Sequence, residues 1–256
     1  MLQLRPSFLI IGAQKCGTTS LYNYLAQHPL IIPAKNKEIH YFDINFDQDI
    51  NWYLSHFHLL SSSEQKGQFF ITGEATPYYV FHPLVAKRVF NLFPDIKIIL
   101  LLRNPIERAY SHYKHEKELG YETLSFEQAI EKEEERLKGE TDKIINTEKY
   151  YSFNHQHYSY LSRGLYLEEI QLWLKYFDLK NFLILSFEEL IINPSKIYTE
   201  VLTFLNLPKW KNKDYLKYHT GLTSEEMKMN TRKELMNYFK IPNKLLNEYL
   251  NKDFNW

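Results

Sequence analysis

Short apolar runs that end at glycine or proline alternate along the chain with stretches whose apolar residues recur every three or four positions. Residues 7–11 (Ser7, Phe8, Leu9, Ile10 and Ile11) form one such run, closed by Gly12, and predict a buried strand. Residues 18–27 follow with Leu21, Tyr24 and Leu25 at helical spacing, until His28 and Pro29 stop them. A second short strand is expected at 68–72 and a helix at 83–92, closed by Pro94. The clearest strand is 96–102, reading Ile96, Lys97, Ile98, Ile99, Leu100, Leu101 and Leu102. A helix is expected at 105–119, with Pro105 suited to its first turn. Residues 125–138 predict a charged amphipathic helix opened by a Ser125/Gln128 capping box. Residues 140–162 are polar and aromatic without a clear period. Further on, helices are expected at 163–177, 195–205, 231–239 and 242–250, and a strand at 182–187. Strands alternating with helices predict an α/β fold with a mainly parallel sheet flanked by helices. The expectation is a single domain over 1–256, with an irregular helical insert near 120–162.

Composition narrows the function classes. Lys plus Arg equals Asp plus Glu at 31 each, so no overall charge draws the chain to nucleic acid or to a membrane surface. Tyr (20) and Phe (17) supply a large aromatic core. The single cysteine, Cys16, cannot form an intrachain disulfide. There is no run of about 18 apolar residues and no signal-peptide pattern at the N-terminus. No membrane span is therefore expected, and the expected location is the cytoplasm.

Candidate chemistry begins between the first strand and the first helix, at Gly12, Ala13, Gln14, Lys15, Cys16, Gly17, Thr18, Thr19 and Ser20. Glycines let the backbone turn tightly and approach a ligand closely. The helix that follows offers unpaired N–H groups and a positive dipole end to an anion. Lys15 adds a cation, and Thr18, Thr19 and Ser20 add hydroxyl donors, so the segment reads as a phosphate cradle of P-loop-like type. It departs from the GK[ST] pattern of P-loop nucleotidases, because Gly17 precedes Thr18 and Lys15 lies earlier. A kinase would also need a metal-holding Asp at the end of a nearby strand. The strand at 96–102 ends in Arg103 instead, which attracts an anion and repels Mg²⁺. Arg103 and Ser111 are thus candidates for a second phosphate site.

These two segments carry a family resemblance. Phe8 to Leu21 resembles the 5′-phosphosulfate loop of sulfotransferases that use 3′-phosphoadenosine 5′-phosphosulfate (PAPS). Ile99 to Pro105, with Arg108, Ser111 and Tyr113, resembles their 3′-phosphate motif. The branch holding the heparan sulfate sulfotransferases and stand-alone bacterial enzymes is the most similar. Lys37 to Asp43, Gly73 to Tyr79 and the terminal Asp253, Phe254, Asn255 and Trp256 support it. The resemblance spans nearly the whole chain and is weakest between 120 and 160. It implies a sulfotransferase fold that uses PAPS, leaves PAP, and requires no metal. Lys15, Gly17, Thr18, Thr19 and Ser20 would hold the 5′-phosphosulfate, and Arg103 and Ser111 the 3′-phosphate. Arg232 would belong to a basic segment that closes over the cofactor. Ala75 stands where several heparan sulfate enzymes have Lys, which argues against a highly sulfated acceptor.

The resemblance also implies that Glu38 takes the acceptor's proton, with His40 as the alternative base or as a group that orients Glu38 or the acceptor. On an extended segment these two side chains would share a face. Lys15 would stabilise charge on the leaving group. Glu74 is expected to touch the acceptor, to pair with Lys15, or to sit in a structural ion pair. The Tyr-rich stretch 150–166 is expected either to line the acceptor cleft or to pack in the core. The run 131–136 reads as a solvated helix face, Cys16 as a loop-filling residue, and His155 and His157 as lacking a metal-ligand pattern. The sulfuryl group is expected to pass to a hydroxyl or an amine of an acceptor that is a carbohydrate or glycolipid by family analogy, with a small phenolic or polyketide-like metabolite or a peptide tyrosine left open. The competing readings are a Mg²⁺-dependent nucleotide kinase of the P-loop class and a non-catalytic nucleotide-binding protein.

Overall fold

The computed structural model describes residues 2–61, 69–216 and 226–256. In chain order its first elements are strands β1 (Leu2–Gln3) and β2 (Pro6–Gly12), helices α1 (Thr18–Leu25) and α2 (Ile50–Leu54), and strands β3 (Leu59–Leu60) and β4 (Thr72–Ala75). Next come α3 (Val85–Leu92), β5 (Lys97–Leu102) and α4 (Pro105–Glu118). Short helices α5 (Phe126–Glu131), α6 (Glu133–Leu137), α7 (Glu140–Asn146) and α8 (Phe153–His157) lead to α9 (Tyr166–Leu174) and β6 (Phe182–Ser186). Helices α10 (Phe187–Ile192), α11 (Pro194–Phe204) and α12 (Met229–Leu250) follow.

β4, β2, β5 and β6 pair in that order as one parallel sheet, with Leu9 opposite Glu74 and Ile98, and Leu100 opposite Ile184. β1 and β3 form a separate antiparallel pair. A parallel sheet flanked by helices is buried on both faces, which is why its strands are apolar without alternation. Phe8, Leu9, Ile10 and Ile11 of β2 and Ile98, Ile99, Leu101 and Leu102 of β5 are all fully buried. A second apolar cluster lies outside the sheet, where Ile106, Tyr110 and Tyr113 of α4 meet Phe126, Tyr160, Leu235 and Phe239. It clamps the 120–162 insert and α12 against α4.

From β2 the chain moves outward to β4, and from β5 it moves outward the other way to β6. The strand order therefore switches between β2 and β5. In open parallel sheets the crevice at the carboxyl ends of such a pair is where ligands bind. The loop after β2 carries Lys15, and the residue after β5 is Arg103. No helix among the described residues is long and apolar enough to cross a membrane.

Four elements differ from expectation. The strand expected at 68–72 runs from Thr72 to Ala75, and Gln68 lies outside the described residues. Thr72, Gly73, Glu74 and Ala75 carry little apolar signal, yet all four are buried. The helix expected at 125–138 breaks at Lys132 into α5 and α6, with its Ser125/Gln128 capping box intact. The run 131–136 is only partly solvated. Glu133 is buried, and its carboxylate accepts from the backbone N–H groups of Leu161 and Ser162 at 2.6 and 2.8 Å. Residues 231–250 form one helix through Pro242 rather than two. Thr231, Leu235, Phe239 and Leu246 keep a continuous buried stripe there, and that packing outweighs the hydrogen bond a mid-helix proline forfeits.

Candidate active site

The loop after β2 ends at Gly17, which adopts φ +84° and precedes α1 without a side-chain cap. The first N–H groups of α1 therefore point out of the helix with no capping oxygen, the condition under which a helix end attracts an anion. Lys15 also takes a left-handed backbone, at φ +67°. Its carbonyl accepts from Arg103 Nη1 at 3.1 Å, so the two cations expected to hold phosphates meet at the β2/β5 switch point. Tyr166 Oη donates to the Arg103 carbonyl at 2.8 Å, and the Arg103 guanidinium lies over the Phe187 ring at 4.7 Å. Burial pulls the Lys15 pKa below its ordinary value; Glu118, Glu116 and Glu38 act against that, and Arg103 adds to it. Thr18 and Ser20 are buried in α1, and Thr19 is half-buried. Ser111 is half-buried on α4, about two turns from the helix start. Arg232, in the first turn of α12, pairs at 2.5 Å with Glu107 in the first turn of α4. Burial pushes the Cys16 thiol up to about 12, so it is an inert neutral filler of the loop.

The segment after α1 brings Glu38 to the same edge. Its N–H donates to the Ala75 carbonyl at 3.2 Å, which hangs the segment from the end of β4. The segment is not extended. Glu38 and His40 both have a left-handed backbone, at φ +60° and +55°, a conformation that costs roughly 1–3 kcal/mol per residue and clusters at functional sites. Their side chains nonetheless meet, with His40 Nε2 3.7 Å from Glu38 Oε2. Asp43 Oδ2 lies 2.8 Å from His40 Nδ1, and Lys37 forms an ion pair with Glu38. Partial burial works to raise the Glu38 pKa, but the neighbouring His40 and the Lys37 charge hold it down at about 2. For His40, burial works downward and is outweighed by Asp43 and Glu38, which lift it to about 10. At neutral pH the pair is therefore carboxylate and imidazolium. Glu38 has a lone pair to accept a proton and His40 has none.

Neither ion pair expected of Glu74 forms among the described residues: it is fully buried, and its carboxylate accepts from the hydroxyls of Tyr53 at 2.9 Å, Thr76 at 2.7 Å and Tyr79 at 3.0 Å. The Tyr79 hydroxyl in turn accepts from the backbone N–H of Tyr41 at 2.9 Å. Glu74 thus braces, through Tyr79, the segment that carries Glu38 and His40.

Other participants had no signal in the sequence. Arg163 is buried; it donates to Gln14 Oε1 in the phosphate loop at 2.6 Å and stacks on Tyr78 at 4.8 Å. Glu188 Oε1 accepts from the Asn104 N–H at 2.9 Å. These contacts join residues far apart in the chain. His155 and His157 have ordinary partners, Tyr78 and Glu116 respectively. Tyr150 and Tyr151 line a cavity, whereas Tyr160 and Tyr166 are buried.

A family model described as Sulfotransferase domain matches residues 5–252. The chain belongs to the sulfotransferase family. Among solved structures, a sulfotransferase from Alicyclobacillus acidocaldarius is 30% identical, with a TM-score of 0.76 over 97% of each chain. Among curated proteins, membrane-associated sulfotransferase kil1 of Dictyostelium discoideum is 29% identical over 98% of this chain and 66% of its own length. Heparan sulfate glucosamine 3-O-sulfotransferase 6 of Mus musculus is 31% identical over 80% of this chain and 53% of its own. This sulfotransferase chain thus spans between roughly half and two thirds of the length of those two relatives.

Gly17 tests the loop directly. A Cβ there would stand 2.9 Å from Phe187 Cδ2 and 3.2 Å from Leu190 Cδ2, on a left-handed backbone. Gly17→Ala is expected to cost about 1–2 kcal/mol for the left-handed conformation alone. Thermal denaturation should show a lower Tm. An unchanged Tm would mean the loop relaxes freely.

Proposed function

We propose that this sulfotransferase transfers a sulfuryl group from PAPS to a saccharide hydroxyl, with Glu38 as the base. The observation that carries the reading is the meeting of Lys15, Arg103 and the uncapped start of α1 at the β2/β5 switch point, with Glu38 close enough to act on the Lys15 charge. That donor set suits a ligand with two separate phosphate groups. PAPS, when bound, supplies an electrophilic sulfuryl group on a phosphate leaving group. Lys15, Thr18, Thr19, Ser20 and the α1 N–H groups hold the 5′ end, and Arg103 and Ser111 hold the 3′-phosphate. Arg232, paired with Glu107 beside α4, would belong to the basic segment that closes over the cofactor. Glu38 accepts the proton of the acceptor hydroxyl. Lys15 stabilises negative charge on the leaving oxygen. The saccharide class follows from the heparan sulfate relatives.

Calorimetric titration tests the cofactor. PAP should bind with or without Mg²⁺, and ATP should bind much more weakly. Preference for ATP in the presence of Mg²⁺ would return the loop to the kinase class.

A further inference from the structure

A cavity of about 500 Å³ opens between the 43–47 segment and residues 144–152 of the insert, a size within the usual range for small-ligand pockets. It borders the proposed base through one side-chain chain. Asp43 lines it, Asp43 holds His40 at 2.8 Å, and His40 reaches Glu38. Four aromatic residues, Phe46, Tyr78, Tyr150 and Tyr151, are among its lining. The Tyr150 hydroxyl is anchored on Glu140 at 2.8 Å and that of Tyr151 lies 3.1 Å from His157 Nε2, so both rings are held as platforms.

The charges are those of a site for an uncharged ligand. Three acidic residues, Asp43, Asp47 and Glu148, and two basic ones, Arg88 and Lys149, line it. Arg88 is already engaged, donating to the carbonyls of Phe42 and Asp43 at 2.7 and 3.2 Å and lying 4.3 Å over the Phe46 ring. His82, also lining the cavity, is held neutral, its pKa pushed down to about 3 mainly by burial. The lining carries no net positive charge to draw a polyanion, while carboxylates and amides beside aromatic faces suit the hydroxyls and the apolar face of a pyranose ring.

We infer that this cavity is the acceptor subsite for a neutral saccharide unit, seated beside the sugar whose hydroxyl meets Glu38, and that it selects against polysulfated chains. The inference rests on the proposed sulfuryl transfer. The experiment measures transfer of labelled sulfate from PAPS to p-nitrophenyl glucoside, p-nitrophenyl lactoside and heparan sulfate, with PAP affinity measured alongside. The lactoside should be the best acceptor and heparan sulfate the poorest. Tyr151→Ala should raise KM for the lactoside about ten-fold while PAP affinity holds. The double variant Asp47→Lys, Glu148→Lys, both exposed positions, should shift preference toward heparan sulfate. Faster turnover of heparan sulfate by the unaltered protein would overturn the inference. So would failure to sulfate either glycoside although PAP binds, or an unmoved KM in Tyr151→Ala. Absence of PAP binding would instead sink the underlying reading, and this one with it.

Discussion

Glu38→Gln is expected to lower kcat by roughly 10²- to 10⁴-fold, the usual worth of a positioned proton acceptor, while PAP affinity stays nearly unchanged. The amide keeps the shape and the contacts to Lys37 and His40 but cannot take a proton. His40 is a poor replacement, because Asp43 still acts to raise its pKa and favour the protonated ring once the Glu38 charge is gone. The pH profile makes the same point. Glu38 is ionised above about 2 and His40 is charged below about 10, so the pair does not change state between those values. kcat/KM should therefore show no limb from this pair near 6.5, where an ordinary His titrates. A limb there that vanishes in His40→Asn would make neutral His40 the base. The sign for stability follows from the same shifts. The Glu38 contribution is present above its ordinary pKa and lost as pH falls through about 2. The His40 contribution is present below its ordinary pKa and lost as pH rises through about 10.

Lys15→Met is expected to lower kcat by about 10²- to 10³-fold, the range found when one donor to a developing negative charge is removed. Methionine keeps much of the apolar stem that packs in the loop and loses only the ammonium. Arg103 still holds the Lys15 carbonyl, so the loop should keep its shape. Single-turnover kinetics separate the outcomes. A fall in the chemical step at saturating PAPS places Lys15 on the transition state. A weaker cofactor affinity with an unchanged chemical step would make it a binding residue only.

Much of the fold was legible because its strands are buried on both faces. The runs at 7–11 and 96–102 are apolar without interruption, and they became the two central strands. β4 was harder to place, since a buried Glu and a Gly replace the apolar run. The buried Glu74 carboxylate is satisfied there by hydroxyls on Tyr53, Thr76 and Tyr79, which local pattern does not reveal. The same limit explains Glu133, which reads as one charge in a solvated run and is in fact a cap for backbone N–H groups nearly 30 residues away. Pro242 misled in the opposite direction, because a tertiary stripe carried the helix across it.

Sequence alone determined the elements whose cause is local: the apolar strands, the glycine turn into α1, the capping box at Ser125, and a cation in each loop that leaves a central strand. These depend on neighbouring residues and on the period of the chain, both visible in one dimension. Only the tertiary structure decided which groups share a field. It set Lys15 against Arg103, placed Glu38 between Lys37 and His40, and turned Glu74 inward onto Tyr79. It also gathered Phe46, Tyr78, Tyr150 and Tyr151 around one cavity with Asp43. Each of those outcomes depends on burial and on contacts between distant segments, and the protonation states that separate Glu38 from His40 exist only once those contacts have formed.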